Sequence, residues 1–145
     1  PNLAGAKSRQ AAMSKAPILA FDFGTHHIGV AVGQWVTQTA SPLTILKAKQ
    51  GQPNWDAVAV LVETWQPSLF VVGLPLHMND DPSELSRLAE KFARRLTGRF
   101  NRPHQMMDER LSSVEAKAFR ADARIDDLSA ALILETWFSQ TEPGA

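Results

Sequence analysis

Residues 18–33, ILAFDFGTHHIGVAVG, give the clearest indication of the fold of this chain. It contains two β-rich runs, 18–21 and 28–32, separated by a short turn that follows Asp22. A third strand is predicted within 37–47. Three strands joined by such short turns are typical of an antiparallel meander.

After the meander, the spacing of the apolar residues changes, and segments with a helical period alternate with segments typical of strands. Apolar residues at i, i+3, i+4 and i+7 predict the first helix, and a short continuous apolar run predicts a strand buried on both faces. The predicted elements are a helix capped by Asn54 and stopped by Pro67, a strand at 69–72, a helix from Pro82 or Ser83 to Gly98, a strand at 104–107, a helix at about 112–119 and a last helix from about Asp126 to Gln140.

This order of elements predicts an α/β fold with a mixed five-stranded sheet flanked by helices. It is the ribonuclease-H-like architecture. A length of 145 residues with 44% hydrophobic content suits one compact domain. We expect residues 1–16 to form a disordered N-terminal extension, 17–140 the domain and 141–145 a C-terminal tail. The length is too small for a two-lobed kinase or an actin-like ATPase.

Composition excludes several classes of function. The chain has no Cys, which rules out disulfides, thiolate metal sites and a Cys nucleophile. Fifteen Lys and Arg balance 15 Asp and Glu, so binding to nucleic acid must come from a local patch. The four His have no zinc-site spacing. No apolar stretch approaches the roughly 18–20 residues that a membrane helix needs, and we expect no membrane partner.

Carboxylates stand at three element ends. Asp22 follows the first strand, Asp108 and Glu109 follow the last strand, and Asp126 and Asp127 open the last helix. Each has an ordinary explanation by itself, an Asx-type turn at the first place and helix capping at the others. If the first and last strands are adjacent and the last helix packs across them, the three sets converge. Convergent carboxylates repel unless cations bridge them, and two Mg²⁺ ions about 4 Å apart suit in-line displacement at phosphorus.

Basic residues concentrate between positions 87 and 102, where six Lys or Arg face a single Glu within the segment. Arg87, Lys91 and Arg94 share one helical face. This face predicts either a solvated surface or a surface that tracks nucleic-acid phosphates. Arg110, beside the acids of the last strand, is a better local candidate for a phosphate contact.

The chain resembles the YqgF family, a bacterial group similar to the RuvC resolvases. The similarity runs from about residue 16 to residue 140, nearly the whole predicted domain. The motifs that carry it are AFDFGT at 20–25, IGVAVG at 28–33, VVGLPL at 71–76, DERLS at 108–112 and IDDLSAA at 125–131.

The resemblance implies a ribonuclease-H-like fold and a cytoplasmic, Mg²⁺-dependent nuclease, with Mn²⁺ as an alternative ion. It carries over Asp22, Glu109 and Asp126 as catalytic residues and metal ligands. Asp108 and Asp127 adjoin matched acids and are candidates for capping or support. Members of the family are described as Holliday junction resolvases and as nucleases that mature the 5′ end of 16S ribosomal RNA.

Two features depart from the family pattern. Where relatives often have Lys or Arg in the turn after the first strand, this chain has His26 and His27. The link at 117–124 is also shorter than the Gly-rich loop usual before the last Asp motif. The first feature weakens the expectation that the turn holds a phosphate at neutral pH.

Three functions are therefore considered. The leading one is hydrolysis of phosphodiester bonds in structured RNA, at the 5′ end of the 16S precursor during ribosome biogenesis. The second is resolution of four-way DNA junctions, which requires two coordinated cuts and hence a symmetric dimer. The third is a non-catalytic RNA-binding factor in ribosome assembly. The partner is nucleic acid in all three, and the oligomeric state is left open.

Overall fold

The structure is a computed structural model that describes residues 16–74, 82–108 and 126–140. The predicted helix at 112–119, residues 1–15 of the expected extension and the expected tail lie outside the described residues. The described elements are β1 (Ile18–Asp22), β2 (His27–Gln34), β3 (Thr39–Lys49), β4 (Gln52–Pro53), α1 (Trp55–Trp65), β5 (Leu69–Leu74), α2 (Pro82–Phe100), β6 (His104–Asp108) and α3 (Asp126–Gln140).

The strands form one mixed sheet in the order β4-β3-β2-β1-β5-β6. β1 pairs antiparallel with β2 and parallel with β5, and β5 pairs parallel with β6. The predicted meander and mixed sheet are confirmed. The prediction of five strands missed β4, whose two residues are too few to produce a hydrophobic period. The adjacency of the first and last strands, the condition under which the three sets of carboxylates would converge, is not met, because β5 lies between β1 and β6.

Helix α1 begins and ends where its local sequence predicts. The Asn54 side chain accepts a hydrogen bond from the Asp56 backbone N–H at 2.9 Å, which satisfies a free donor of the first turn. Val58 and Val62 are buried on the predicted apolar face. Gln66 adopts a left-handed conformation with φ 47°, and its N–H donates to the Val62 carbonyl at the C-terminus.

Helix α2 continues beyond its predicted end. We expect it to stop at Gly98, but it runs through this residue to Phe100. The chain turns at Asn101, which has φ 60° and donates its N–H to the Thr97 carbonyl at 2.8 Å. An exposed glycine inside a helix costs only about 1 kcal/mol relative to alanine, and packing of the apolar face offsets this cost. No described helix is long and apolar enough to cross a membrane.

The strand alternation gives the sheet two buried faces. Leu19 and Phe21 of β1 pack in one core with residues of α1 and α2. Ile18 and Ala20 pack in the second core, to which α3 contributes. The residues of α3 in that core are Ala130, Ala131, Ile133, Leu134, Trp137 and Phe138. Hence β1 is a central strand covered on both sides, with α1 and α2 on one face and α3 on the other.

The C-terminal half of α3 lies over the start of β1. Gly33 of β2, the register partner of Ile18, would place a Cβ atom 2.9 Å from Leu134 Cδ1 and 3.0 Å from Phe138 Cε2. A glycine is therefore required where the helix approaches the sheet this closely. On the neighbouring side, Trp137 Nε1 donates a hydrogen bond to Gln105 Oε1 at 2.8 Å.

Candidate active site

Asp22 is half-buried at the end of the central strand β1. It pairs with Gly29 of β2 on one side and with Gly73 of β5 on the other. Successive side chains of a strand point to opposite faces, so Asp22 shares the face of Ile18 and Ala20. That is the face covered by α3. A carboxylate is therefore presented at the edge of the sheet on the α3 side.

Glycines flank Asp22 on both neighbouring strands. Residues directly opposite each other in a ladder point to the same face, so positions 29 and 73 add no side chain beside the carboxylate. Both glycines are buried. Sequence reasoning missed this role, although glycine inside a β-rich run signals a close approach of a ligand or another backbone.

The turn after Asp22 is held tightly by its own backbone and by a neighbouring turn. A Cβ atom on Gly24 would lie 2.5 Å from the His27 carbonyl oxygen, so only glycine fits. The Thr25 carbonyl accepts a hydrogen bond from the Gly51 N–H at 2.9 Å. His26, in this turn, and His27, the first residue of β2, are both exposed.

The strand that leads to the second set of acids ends at the same edge of the sheet as β1, but it is not the neighbour of β1. β1, β5 and β6 are parallel, so their carboxyl ends meet at one edge, and β6 ends at Asp108. With β5 between them and strands about 4.8 Å apart, β1 and β6 are separated by roughly 10 Å. Glu109 and Arg110 lie outside the described residues. Asp126 is the first residue of α3.

The predicted metal ligands are only partly covered by the described residues. Within 16–74, 82–108 and 126–140, no group of three or more His, Cys, Asp or Glu residues is placed to hold a metal ion. Of the three predicted ligands, Asp22 alone has a described side chain. The ligand set Asp22, Glu109 and Asp126 therefore stays a prediction.

One residue of the predicted basic face has an acidic partner. Arg87 forms a two-pronged salt bridge with Glu84, with Nη2 2.6 Å from Oε1 and Nε 3.2 Å from Oε2. Glu84 lies one turn before the basic segment. The hydrogen bond from Arg87 to Glu84 is the larger cause, and the negative charge of Glu84 the smaller cause, of a pKa of Arg87 raised above its ordinary value. Arg94 is exposed and Lys91 half-buried, and neither has an ion pair within the described part of the chain.

The basic helix and Asp22 lie on opposite faces of the sheet. Phe92 of α2 contacts Phe21, with ring centroids 5.3 Å apart, and Phe21 points away from α3. The structure therefore does not bring Arg87, Lys91 and Arg94 to the face toward which Asp22 points. Their role in nucleic-acid binding stays a prediction.

Comparisons with known proteins identify close relatives. The family described as "RuvX: Holliday junction resolvase" matches residues 16–140. A protein of Glaesserella parasuis named "Putative pre-16S rRNA nuclease" is 50% identical over 132 residues, which cover 85% of this chain and 96% of that protein. A protein of the same name from Saccharophagus degradans is 46% identical over 140 residues, covering 90% and 99% of the two chains.

Solved structures with the same fold include two kinds of resolvase. Thermus thermophilus RuvC in complex with a Holliday junction substrate has a TM-score of 0.55 at 15% identity, over 86% of this chain and 94% of RuvC. The Holliday junction resolvase of fowlpox virus has a TM-score of 0.50 at 14% identity, over 86% and 99% of the two chains. At this identity the likeness concerns the fold, and the expected ribonuclease-H-like architecture is confirmed.

Proposed function

The chain belongs to the RuvX family, the group whose YqgF motifs its sequence resembles, and we propose that it is a divalent-metal-dependent nuclease. It hydrolyses phosphodiester bonds in structured nucleic acid. Its leading substrate is the 5′ end of the 16S rRNA precursor, because relatives at 46% and 50% identity carry that name and align over nearly their whole length. Processing of this precursor in ribosome biogenesis would place the protein in the cytoplasm.

The observation that carries the proposal is the setting of Asp22. A carboxylate at the end of a buried central strand needs a polar partner or a cation to offset its desolvation. This one lies on the α3 side of the sheet, between two positions that have no side chain. The two neighbouring strands thus place no side chain of their own beside the carboxylate, while the strand ladders hold its backbone in place.

The packing of α3 supports a role for Asp126. Leu134 lies over Gly33, whose register partner Ile18 begins β1. From Leu134 back to Asp126 a helix rises about 12 Å, and from Ile18 to Asp22 a strand rises about 13 Å. A helix that follows β1 from this point therefore brings its first turn level with Asp22.

Strand alternation supports Glu109 rather than Asp108 as the second acid. On β6, Gln105 accepts the hydrogen bond from the α3 indole, and Met107 packs in the core with α3. If the alternation continued one residue beyond the end of β6, it would reach position 109. We propose Glu109 as the second acid on this basis together with the DERLS motif at 108–112.

The donor set fits a hard divalent cation. Asp22, Glu109 and Asp126 offer only carboxylate oxygens, the ligands that Mg²⁺ and Mn²⁺ accept in nucleic-acid enzymes. When bound, such ions lower the pKa of a water molecule and neutralise charge on the phosphate and the leaving oxygen. The contribution of the protein itself is to hold these carboxylate ligands in position. Asp22 holds its charge at the sheet edge, and Gly29 and Gly73, its partners on the two neighbouring strands, bring no side chain of their own beside it.

The test is cleavage of a 5′-extended fragment of the 16S precursor by wild type and Asp22→Asn, each with Mg²⁺ and with EDTA. The matched control is Asp56→Asn, an exposed carboxylate in the first turn of α1. We expect Mg²⁺-dependent cutting by wild type and Asp56→Asn, and cutting reduced by about 10²–10³-fold in Asp22→Asn. Equal cutting by Asp22→Asn would refute the assignment of the site.

Resolution of four-way DNA junctions is the second candidate, because the matching family is described as a resolvase. Two coordinated cuts require a symmetric dimer. The same assay is run on a four-way junction, with the molar mass measured by sedimentation. Symmetric cutting of the junction by a dimer, without cutting of the RNA, would move the assignment to this function. RNA binding without cutting of either substrate would favour the assembly-factor hypothesis.

A further inference from the structure

A groove lies between the β3–β4 turn and α2, on the side of the sheet away from the Asp22 carboxylate. Its charged residues, Lys91 and Arg95, are both cationic, half-buried and one helical turn apart. One turn further along α2, the Arg99 guanidinium carbon lies 4.5 Å from the centre of the Trp55 ring. The residues lining the groove are Gln50, Gly51, Gln52, Trp55, Leu88, Lys91, Phe92 and Arg95.

The charge of this groove is unbalanced. None of the described residues that line it carries a carboxylate. Within the described part of the chain, Lys91, Arg95 and Arg99 form no ion pair. The Nε1–H of Trp55 is buried and has no acceptor among the described residues. The described residues that line the groove therefore offer cations and no anionic group to pair with them.

We propose that this groove binds backbone phosphates of the substrate strand, at a distance from the bond that is cut. The proposal rests on the nuclease function proposed above. Lys91, Arg95 and Arg99 form a row with about 6 Å of helix rise between successive residues. A nucleic-acid strand carries one negative charge per nucleotide and can meet such a row with several phosphates at once.

The groove is built directly on the turn that follows Asp22. Phe23, the next residue, is buried on the groove side, and its ring centroid lies 5.5 Å from that of Phe92. Phe92 stacks on Trp55 with centroids 5.6 Å apart. The Gly51 N–H donates to the Thr25 carbonyl of the same turn. The turn after Asp22 therefore forms a wall shared with the groove, so a strand that crosses this turn from the Asp22 edge comes to the groove.

The test measures RNA binding with cleavage disabled. Lys91→Gln/Arg95→Gln is made in the Asp22→Asn background and titrated with a fluorescent 5′-extended precursor fragment, followed by anisotropy at several salt concentrations. Removing two phosphate contacts to single-stranded RNA should lower the slope of log K against log salt by about 1.4 and weaken binding by about tenfold or more at moderate salt.

Two comparison variants separate a groove from a general charge effect. Arg87→Gln/Arg94→Gln removes the same charge from the outer face of α2, and we expect a clearly smaller loss of affinity. Lys91→Arg/Arg95→Lys keeps the charge in the groove and should retain binding. Equal losses from the two charge-removing pairs, or full binding by the groove pair with its fold intact by circular dichroism, would overturn the proposal.

Cleavage assays separate the two proposals. In an otherwise wild-type chain, the double variant Lys91→Gln/Arg95→Gln should cut the long precursor more slowly than wild type does. It should cut a short RNA around the scissile bond at the wild-type rate. If wild type cuts neither RNA but the groove pair still weakens binding, the nuclease proposal fails and the groove stands. If wild type cuts the RNA and Lys91→Gln/Arg95→Gln cuts both the long and the short RNA at the wild-type rate, the groove proposal fails and the nuclease proposal stands.

Discussion

Asp22, the last residue of β1, pairs with Gly73 of β5 in the parallel part of the sheet. The pairing places a position without a side chain directly beside the carboxylate, on the face covered by α3. Gly29 does the same on the antiparallel side. Neither neighbouring strand therefore brings a side chain beside Asp22, and the proposed approach of a phosphate group can be tested at these positions without altering the charge of the site.

The substitution Gly73→Ala should lower cleavage of the precursor RNA by about 10- to 100-fold, because a methyl group beside Asp22 displaces the phosphate from its productive position. Alanine is favoured over glycine in a strand by roughly 0.5–1 kcal/mol, so the backbone itself should not be destabilised. The measurement is kcat/KM together with urea unfolding. Gly98→Ala is the control: its new Cβ has no neighbour within 4 Å, and activity should not change. Full activity of Gly73→Ala would contradict the access argument.

The substitution Asp22→Asn separates a catalytic carboxylate from a structural one. If Asp22 holds a cation, Asn should reduce cleavage by about 10²–10³-fold. The thermal midpoint without metal should stay the same or rise, because acids that converge on a cation site repel one another when it is empty. Added Mg²⁺ should raise the midpoint of wild type and leave the variant unmoved. A large fall in the midpoint of Asp22→Asn would instead support the Asx-turn explanation.

Local sequence was sufficient for features that depend on neighbouring residues. The cap at Asn54, the strand end at Asp22 and the start of the last helix at Asp126 follow from residue type and period alone, and the structure has all three. The apolar stripe of α2 was also predictable, and Leu85, Phe92 and Leu96 are buried along it.

Features that depend on strand partners were not predictable in this way. The two residues of β4 become a strand only by pairing with Ala48 and Lys49. The insertion of β5 between β1 and β6 is a property of sheet order, which no single segment encodes. The same is true of Gly73, whose place beside Asp22 depends on register. A helical period shows which side of α2 is buried, but not that α2 covers the face opposite Asp22.

The approach of α3 to the sheet should be sensitive to Gly33. Gly33→Ala would place a Cβ atom 2.9 Å from Leu134 Cδ1 and about as close to the Phe138 ring, so the helix has to shift. We expect a loss of about 1–3 kcal/mol in the free energy of unfolding. Activity should also fall, because α3 begins with Asp126. A double-mutant cycle with Leu134→Ala should give a favourable coupling energy, and strictly additive losses would show that the two residues do not meet.

The salt bridge between Glu84 and Arg87 tests the basic face predicted from the sequence. Glu84→Gln removes the acid that engages Arg87 and leaves the guanidinium charged at neutral pH. If Arg87 contacts phosphates, RNA affinity should rise about two- to fivefold at low salt, and the gain should vanish at high salt. Glu90→Gln is the matched control, since it removes the same charge from the same helix without releasing Arg87. Anisotropy with labelled precursor RNA measures both variants. An equal gain from the two would mean that α2 acts only through its net charge, whereas a gain confined to Glu84→Gln would assign the contact to Arg87.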